Sequence, residues 1–180
     1  MKPLEVYDKY SREWSDISLH LPWLRDNAHG TVLEIGVREG ISTAALLLGV
    51  AHWGGHVYSV DIEDRSELYS DNPDYAHMWT FIQADSKDWK RVFEGIGLRD
   101  GSFSIDLLFI DGCHSYSGCI SDLTTYGPWS KVIAVHDTNS EFQGVWEATI
   151  AYFRSTQPTQ PQFKRAEFRN ESNGLGILSK

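Results

Sequence analysis

The sequence predicts an α/β protein built on a mostly parallel, seven-stranded sheet with helices on both faces. Three observations lead there. Short β-branched runs alternate with longer stretches of helical period. Most of the strand candidates are near-continuously apolar, as strands covered on both faces must be. The first strand candidate also runs into a glycine turn and then a helix, the usual start of a crossover unit.

Residues 1–29 read as an N-terminal helical cap, a helix followed by Leu19-His20-Leu21-Pro22-Trp23-Leu24, folding over the first strand. Strands are expected over 31–37, 56–63, 78–85, 105–111 and 131–137. The short apolar stretch 42–50 and the stretch 86–95, closed by a glycine suited to a C-cap, read as helices between them. Residues 115–126 place Tyr116, Ile120 and Leu123 on one face of a third helix. Phe142, Val145, Trp146, Ile150 and Phe153 recur at three- and four-residue steps, so 141–154 should be an amphipathic helix on the sheet. After a linker holding Pro158 and Pro161, the runs 163–169 and 175–178 flank Asn170-Glu171-Ser172-Asn173-Gly174 and read as a C-terminal antiparallel hairpin.

With 180 residues, 41% hydrophobic and 13% aromatic including seven Trp, the chain 1–180 reads as a single globular domain. A net charge of −9 opposes attraction to nucleic acid or an anionic membrane surface. No apolar stretch approaches the roughly 20 residues of a membrane span, and no secretory signal is visible. Cys113 and Cys119 match no zinc spacing and are expected as free thiols, which with the missing signal points to the cytoplasm. A homo-oligomer is compatible with all of this.

The chemistry gathers at strand ends. Glu34-Ile35-Gly36-Val37-Arg38-Glu39-Gly40-Ile41-Ser42 puts glycines where backbone approaches a ligand. The spacing is G-x-x-x-G rather than the G-x-G-x-x-G of a pyrophosphate turn, and Glu34 would repel a phosphate but suit a cationic amine. Asp61 closes the second strand, placed to take ribose hydroxyls in any nucleotide-like ligand. The third strand ends in Gln83-Ala84-Asp85-Ser86. Asp111-Gly112-Cys113-His114-Ser115-Tyr116 and His136-Asp137-Thr138 follow two adjacent strands, so Asp111, His114, His136 and Asp137 should converge.

The glycine run resembles the first motif of Rossmann-like class I S-adenosylmethionine-dependent methyltransferases. D-G-x-H-S-Y and H-D-T resemble the small cephalosporin-hydroxylase-type and macrolide-sugar O-methyltransferases. The resemblance spans about residue 19 to the C-terminus. It implies S-adenosylmethionine bound by Glu34, Gly36, Gly40, Ser42, Asp61, Asp85 and Ser86, with Trp89 either flanking the adenine or in the core. It implies methyl transfer to a hydroxyl of a small polar or sugar-like acceptor, with His114 as base beside Asp111.

In metal-dependent relatives three side chains hold Mg²⁺, and the matching positions are Asp111, His136 and Asp137. His136 departs from the carboxylate expected there, which weakens the case for Mg²⁺ and leaves Mn²⁺ or another divalent cation. Two other classes stay open on residues alone. A nucleotide-binding oxidoreductase could use Asp61 similarly, and a non-catalytic cofactor-binding protein could keep the same fold.

Overall fold

The computed structural model describes residues 2–97, 104–155 and 163–180. Thirteen main elements follow one another: α1 (Pro3–Tyr10), α2 (Leu21–Asn27), β1 (Gly30–Ile35), α3 (Ile41–Trp53), β2 (Gly55–Asp61), β3 (Trp79–Gln83), α4 (Trp89–Ile96), β4 (Ile105–Ile110), α5 (Tyr116–Tyr126), β5 (Ser130–His136), α6 (Gln143–Ser155), β6 (Arg165–Arg169) and β7 (Leu175–Ser179). The strands form one seven-stranded sheet in the order β3-β2-β1-β4-β5-β7-β6. β1 to β5 pair in parallel, and β7 runs antiparallel to both β5 and β6. The expected α/β class and C-terminal hairpin are both present. The hairpin folds back so that its later strand takes the inner place: β7 is apolar and buried along most of its length, whereas Arg165, Glu167 and Arg169 give β6 the charged character of an edge.

Alternating side chains divide the core between the two faces. Leu33, Ile35, Val60, Leu108 and Val135 pack under α4, α5 and α6. Val32, Val57, Leu107 and Phe109 pack under α3, and α1 and α2 complete that side with Tyr7, Leu21, Leu24 and Ala28. The N-terminal cap therefore holds two helices rather than one, and it leans chiefly on α3. No helix among the described residues is long and apolar enough to cross a membrane. Cys113 is exposed, Cys119 is buried and both are free.

The elements differ from expectation mainly at their ends, and those differences shape the site. β1 stops at Ile35 because Gly36 turns the backbone at φ +91°, and β5 stops at His136 because Asp137 is left-handed at φ +58°. β4 ends at Ile110, so Asp111 also lies just past the ladder. The helix expected from residue 86 begins at Trp89, capped by Asp88, and leaves 86–88 as a turn. Ser115 caps α5 by accepting from the Gly118 N–H at 3.1 Å. α6 begins at Gln143 after a single 3₁₀ turn, Ser140–Phe142. The Pro158 and Pro161 linker lies outside the described residues.

Gly49 shows how closely the cap is fitted. It sits inside α3, where alanine ordinarily favours a helix by about 1 kcal/mol. A Cβ there would stand 2.3 Å from the Arg25 carbonyl oxygen and 2.7 Å from the Ala28 Cβ. Backbone cannot yield as a flexible side chain does, so overpacking of roughly 1–3 kcal/mol should win. Gly49→Ala is expected to lower unfolding stability in urea, and a variant as stable as the parent would show that α2 is not clamped on α3.

Candidate active site

A cleft of about 650 Å³ opens at the carboxyl ends of the parallel strands, where open α/β sheets bind ligands. Its floor depends on Gly36. A Cβ on Gly36 would fall 2.2 Å from the Asp111 carbonyl oxygen, so only glycine lets the turns after β1 and β4 close on each other. Asp61 then locks the β1 turn to β2. Its Oδ2 accepts from the N–H groups of Val37 (2.8 Å) and Arg38 (3.1 Å), and its Oδ1 accepts from Glu63 N–H at 2.9 Å. A carboxylate has about four acceptor sites, which leaves capacity for a ligand hydroxyl. On the adjacent wall Asp85 accepts from Lys87 N–H (2.9 Å), and the Tyr126 hydroxyl donates to the Ser86 carbonyl.

Glu34 lies elsewhere. It shares a face of β1 with Val32, is fully buried beneath α3, and accepts from Ser42 (2.6 Å), Thr43 (2.7 Å) and Ser59 (2.6 Å). Burial pushes its carboxyl up to about 7, against the downward pull of the three hydroxyls. Trp79 Nε1 donates to Ser59 Oγ at 3.0 Å and extends the network.

At the other end of the cleft four titratable side chains meet. His114 Nε2 is 3.0 Å from Asp137 Oδ2 and 3.6 Å from Asp111 Oδ1, and its ring packs edge-on to Phe142. Its partnership with Asp111, with the charge of Asp137 added, holds its pKa above the ordinary 6.5 despite partial burial. His136 is buried. Its Nδ1 is 3.2 Å from Asp111 Oδ1 and 3.4 Å from Asp137 Oδ1, while its Nε2 donates to the Asp16 carbonyl at 3.1 Å. Burial alone would lower its pKa, but the two carboxylates outweigh that and raise it to about 10. Burial likewise pushes the Asp111 carboxyl up, and the two histidines more than reverse it, leaving it below the usual range. Asp137, itself left-handed, is buried, and its Oδ1 makes only the ion-pair contact with His136 Nδ1 at 3.4 Å, without good hydrogen-bond geometry. Backbone strain of this kind is a feature of sites that take a ligand.

These groups also test a metal. Asp111, His136 and Asp137 each offer a ligand atom within 4.8 Å of the others. The His136 Nε2–H bond to a backbone carbonyl is the outer-sphere support that orients a metal-binding imidazole, leaving Nδ1 toward the carboxylates. The donor set fits a divalent ion once Nδ1 gives up its proton, and its nitrogen favours a transition ion over Mg²⁺.

Among the expected site residues, Gly36, Asp61, Asp85, Ser86, Asp111, His114 and Asp137 line the cleft. Glu34, Gly40, Ser42 and the buried His136 do not. Glu34 and Ser42 are bonded to each other below the floor, and Gly40 starts α3 at φ +77° with its carbonyl held by the Tyr69 hydroxyl. Trp89 is exposed and outside the cleft rather than in the core. Asp16, Arg38, Lys87 and Phe142 line the cleft without having been assigned from sequence. Arg38 stands between the two glycines of the turn and could have been read from that place. Asp16 carries no local signal.

The profile of the methyltransferase domain family matches residues 33–138. No curated protein sequence matches the chain significantly. Among solved structures, an O-methyltransferase from Bacillus cereus in complex with S-adenosylhomocysteine is similar at a TM-score of 0.66 and 15% identity, over 99% of this chain and 90% of that one. A Podospora anserina methyltransferase bound to S-adenosylhomocysteine is similar at 0.63 and 13% identity, covering 99% and 87%. A TDP-rhamnose 3′-O-methyltransferase of calicheamicin biosynthesis is similar at 0.63 and 14% identity, covering 89% and 75%. At these identities the likeness is one of fold.

The Glu34 network gives a signed pH dependence. Between its ordinary value of 4.5 and about 7, the folded protein keeps a proton on Glu34 that the unfolded chain has released. Stability should therefore fall as pH rises across that window, by up to about 3 kcal/mol, and level off above it. Glu34→Gln should abolish this part of the slope in urea titrations at pH 5 and pH 8. An unchanged slope would mean that Glu34 is ionised in the folded state throughout.

Proposed function

The chain belongs to the methyltransferase domain family, and we propose that it is an S-adenosylmethionine-dependent O-methyltransferase acting on a hydroxyl of a small, polar, sugar-like acceptor within a single domain. The cofactor would supply a methyl group on a sulfonium. The observation that carries the reading is the placement of His114, a half-exposed imidazole held by two carboxylates in the same cleft as the glycine turn.

At the cofactor end, Gly36 gives close backbone approach, Asp61 would accept from ribose hydroxyls, and Asp85 with Ser86 would meet the adenine edge. At the acceptor end, Asp137 fixes the Nε2 proton of His114, leaving Nδ1 as the basic nitrogen of the neutral ring. His114 then takes the hydroxyl proton as the acceptor oxygen bonds to the methyl carbon and the sulfur–carbon bond breaks. Alignment of that oxygen by the cleft walls supplies much of the rate. Asp111, His136 and Asp137 would hold a divalent ion, whose chemistry there is to lower the acceptor hydroxyl's pKa.

His114→Ala should lower turnover by roughly 10²- to 10⁴-fold while affinity for S-adenosylmethionine stays within about twofold. Near-parental turnover on a true acceptor would remove His114 from the chemistry. For the ion, turnover should fall after chelation and return with added metal, Mn²⁺ matching or exceeding Mg²⁺. Activity indifferent to chelator would leave the cluster a purely hydrogen-bonding role, and a strict Mg²⁺ preference would count against His136 as a ligand.

A further inference from the structure

Resting on the methyltransferase reading, we propose that the cleft takes an adenine ring in preference to hypoxanthine, and that Tyr126, from behind the cleft wall, is the positioning residue for this choice. The wall concerned is the turn after β3. Asp85 Oδ1 accepts from Lys87 N–H at 2.9 Å, the Asp85 carbonyl accepts from Asp88 N–H at 2.9 Å, and Asp88 caps α4 by accepting from Arg91 N–H at 3.3 Å. These bonds run within one stretch of chain, so they set the shape of the turn and not its place against the sheet. Bonds to other elements set the place: Ala84 N–H donates to the Asp61 carbonyl at 2.9 Å, and the Tyr126 hydroxyl, on α5, donates to the Ser86 carbonyl.

Tyr126 is suited to hold a wall in place. Its ring is fully buried and packs edge-on to Phe93 with centroids 5.5 Å apart, so its hydroxyl is a fixed point. Asp122, one helical turn earlier on α5, is also buried. Burial raises its carboxyl to about 6 and the Ser86 side chain pulls the other way, which sets a second polar group of α5 beside Ser86. Neither Tyr126 nor Asp122 lines the cleft, and the methyl-transfer chemistry uses neither. With the Ser86 carbonyl held from behind, its backbone N–H remains, and among the described residues no group accepts from it. Asp85 and Ser86 would then offer a purine edge one acceptor and one donor. Adenine presents the matching pair, an exocyclic N–H and the acceptor N1. Hypoxanthine reverses both, bringing a carbonyl oxygen to the Asp85 carboxylate and an N1–H to the Ser86 N–H. Unpaired polar groups are costly, so a turn that stays in place discriminates strongly and one that shifts does not.

The test is calorimetric titration of the full chain with S-adenosylhomocysteine and with S-inosylhomocysteine. The parent protein should bind the adenosyl compound about thirtyfold or more the tighter. Tyr126→Phe removes the hydroxyl and keeps the ring. It should weaken S-adenosylhomocysteine binding by about five- to tenfold, the scale of one hydrogen bond, and leave S-inosylhomocysteine within about twofold, so that the preference narrows. A role in packing alone would weaken both compounds equally. A second measurement needs no variant: in the parent, the Ser86 amide proton should move downfield with S-adenosylhomocysteine, as a bond to N1 requires, and should not do so with S-inosylhomocysteine. The inference is overturned if the parent binds both compounds alike, if Tyr126→Phe keeps the full preference or weakens both equally, or if the Ser86 amide proton does not move downfield. Failure of the parent protein to bind either compound would be a different failure, one that removes the methyltransferase reading itself.

Discussion

The close approach of two backbone turns at Gly36 is the constraint on which the rest of this protein depends. Asp111 N–H donates to the Ile35 carbonyl at 2.8 Å and Gly36 N–H to the Val60 carbonyl at 2.9 Å, so three neighbouring strands are stitched together at the residue where β1 leaves the sheet. The left-handed φ of Gly36 turns the chain away without a Cβ striking Asp111. Because β1 turns there, Asp61 can reach the Val37 and Arg38 N–H groups, and because β4 ends there, Asp111 is delivered to the cleft. A bulkier residue at position 36 would disturb both ends of the site at once.

Around that turn the protein deals with buried charge in two ways. Glu34 is isolated from cations and sits among hydroxyls, so burial prevails and its proton is retained to near neutrality. Asp111 lies beside two histidines, so charge pairing prevails and it stays ionised. The contrast is physical rather than compositional: both are acids at or near strand ends, separated by the faces they occupy. Glu34 thus serves the cleft from below by anchoring the start of α3 through Ser42 and Thr43, while Asp111 serves it from within.

The sheet was legible because buried parallel strands are apolar runs that differ from the helices in period. The strand ends were less so, since Gly36 and Asp137 interrupt β1 and β5 through backbone conformation, which hydrophobicity does not encode. The convergence of Asp111, His114, His136 and Asp137 followed from adjacency of β4 and β5, a topological rule. An acid ahead of a glycine turn invites a ligand-facing reading of Glu34, whereas the fold buries its side chain beneath α3. Its alternation with Val32 on the face covered by α3 already argued for burial. Asp16 was out of reach, because its place on the cleft wall comes with a contact 120 residues away in sequence.

Calorimetric titration of the purified chain with S-adenosylhomocysteine, in parallel with NAD and NADP, tests the central claim most directly. A cleft organised by Gly36 and Asp61, with no pyrophosphate turn, should bind S-adenosylhomocysteine at micromolar concentrations and leave the dinucleotides unbound. Asp61→Ala should weaken that binding by about 1.5–3 kcal/mol, the range for hydrogen bonds to a charged group. Binding of NAD or NADP with no heat from S-adenosylhomocysteine at millimolar concentration would contradict the account.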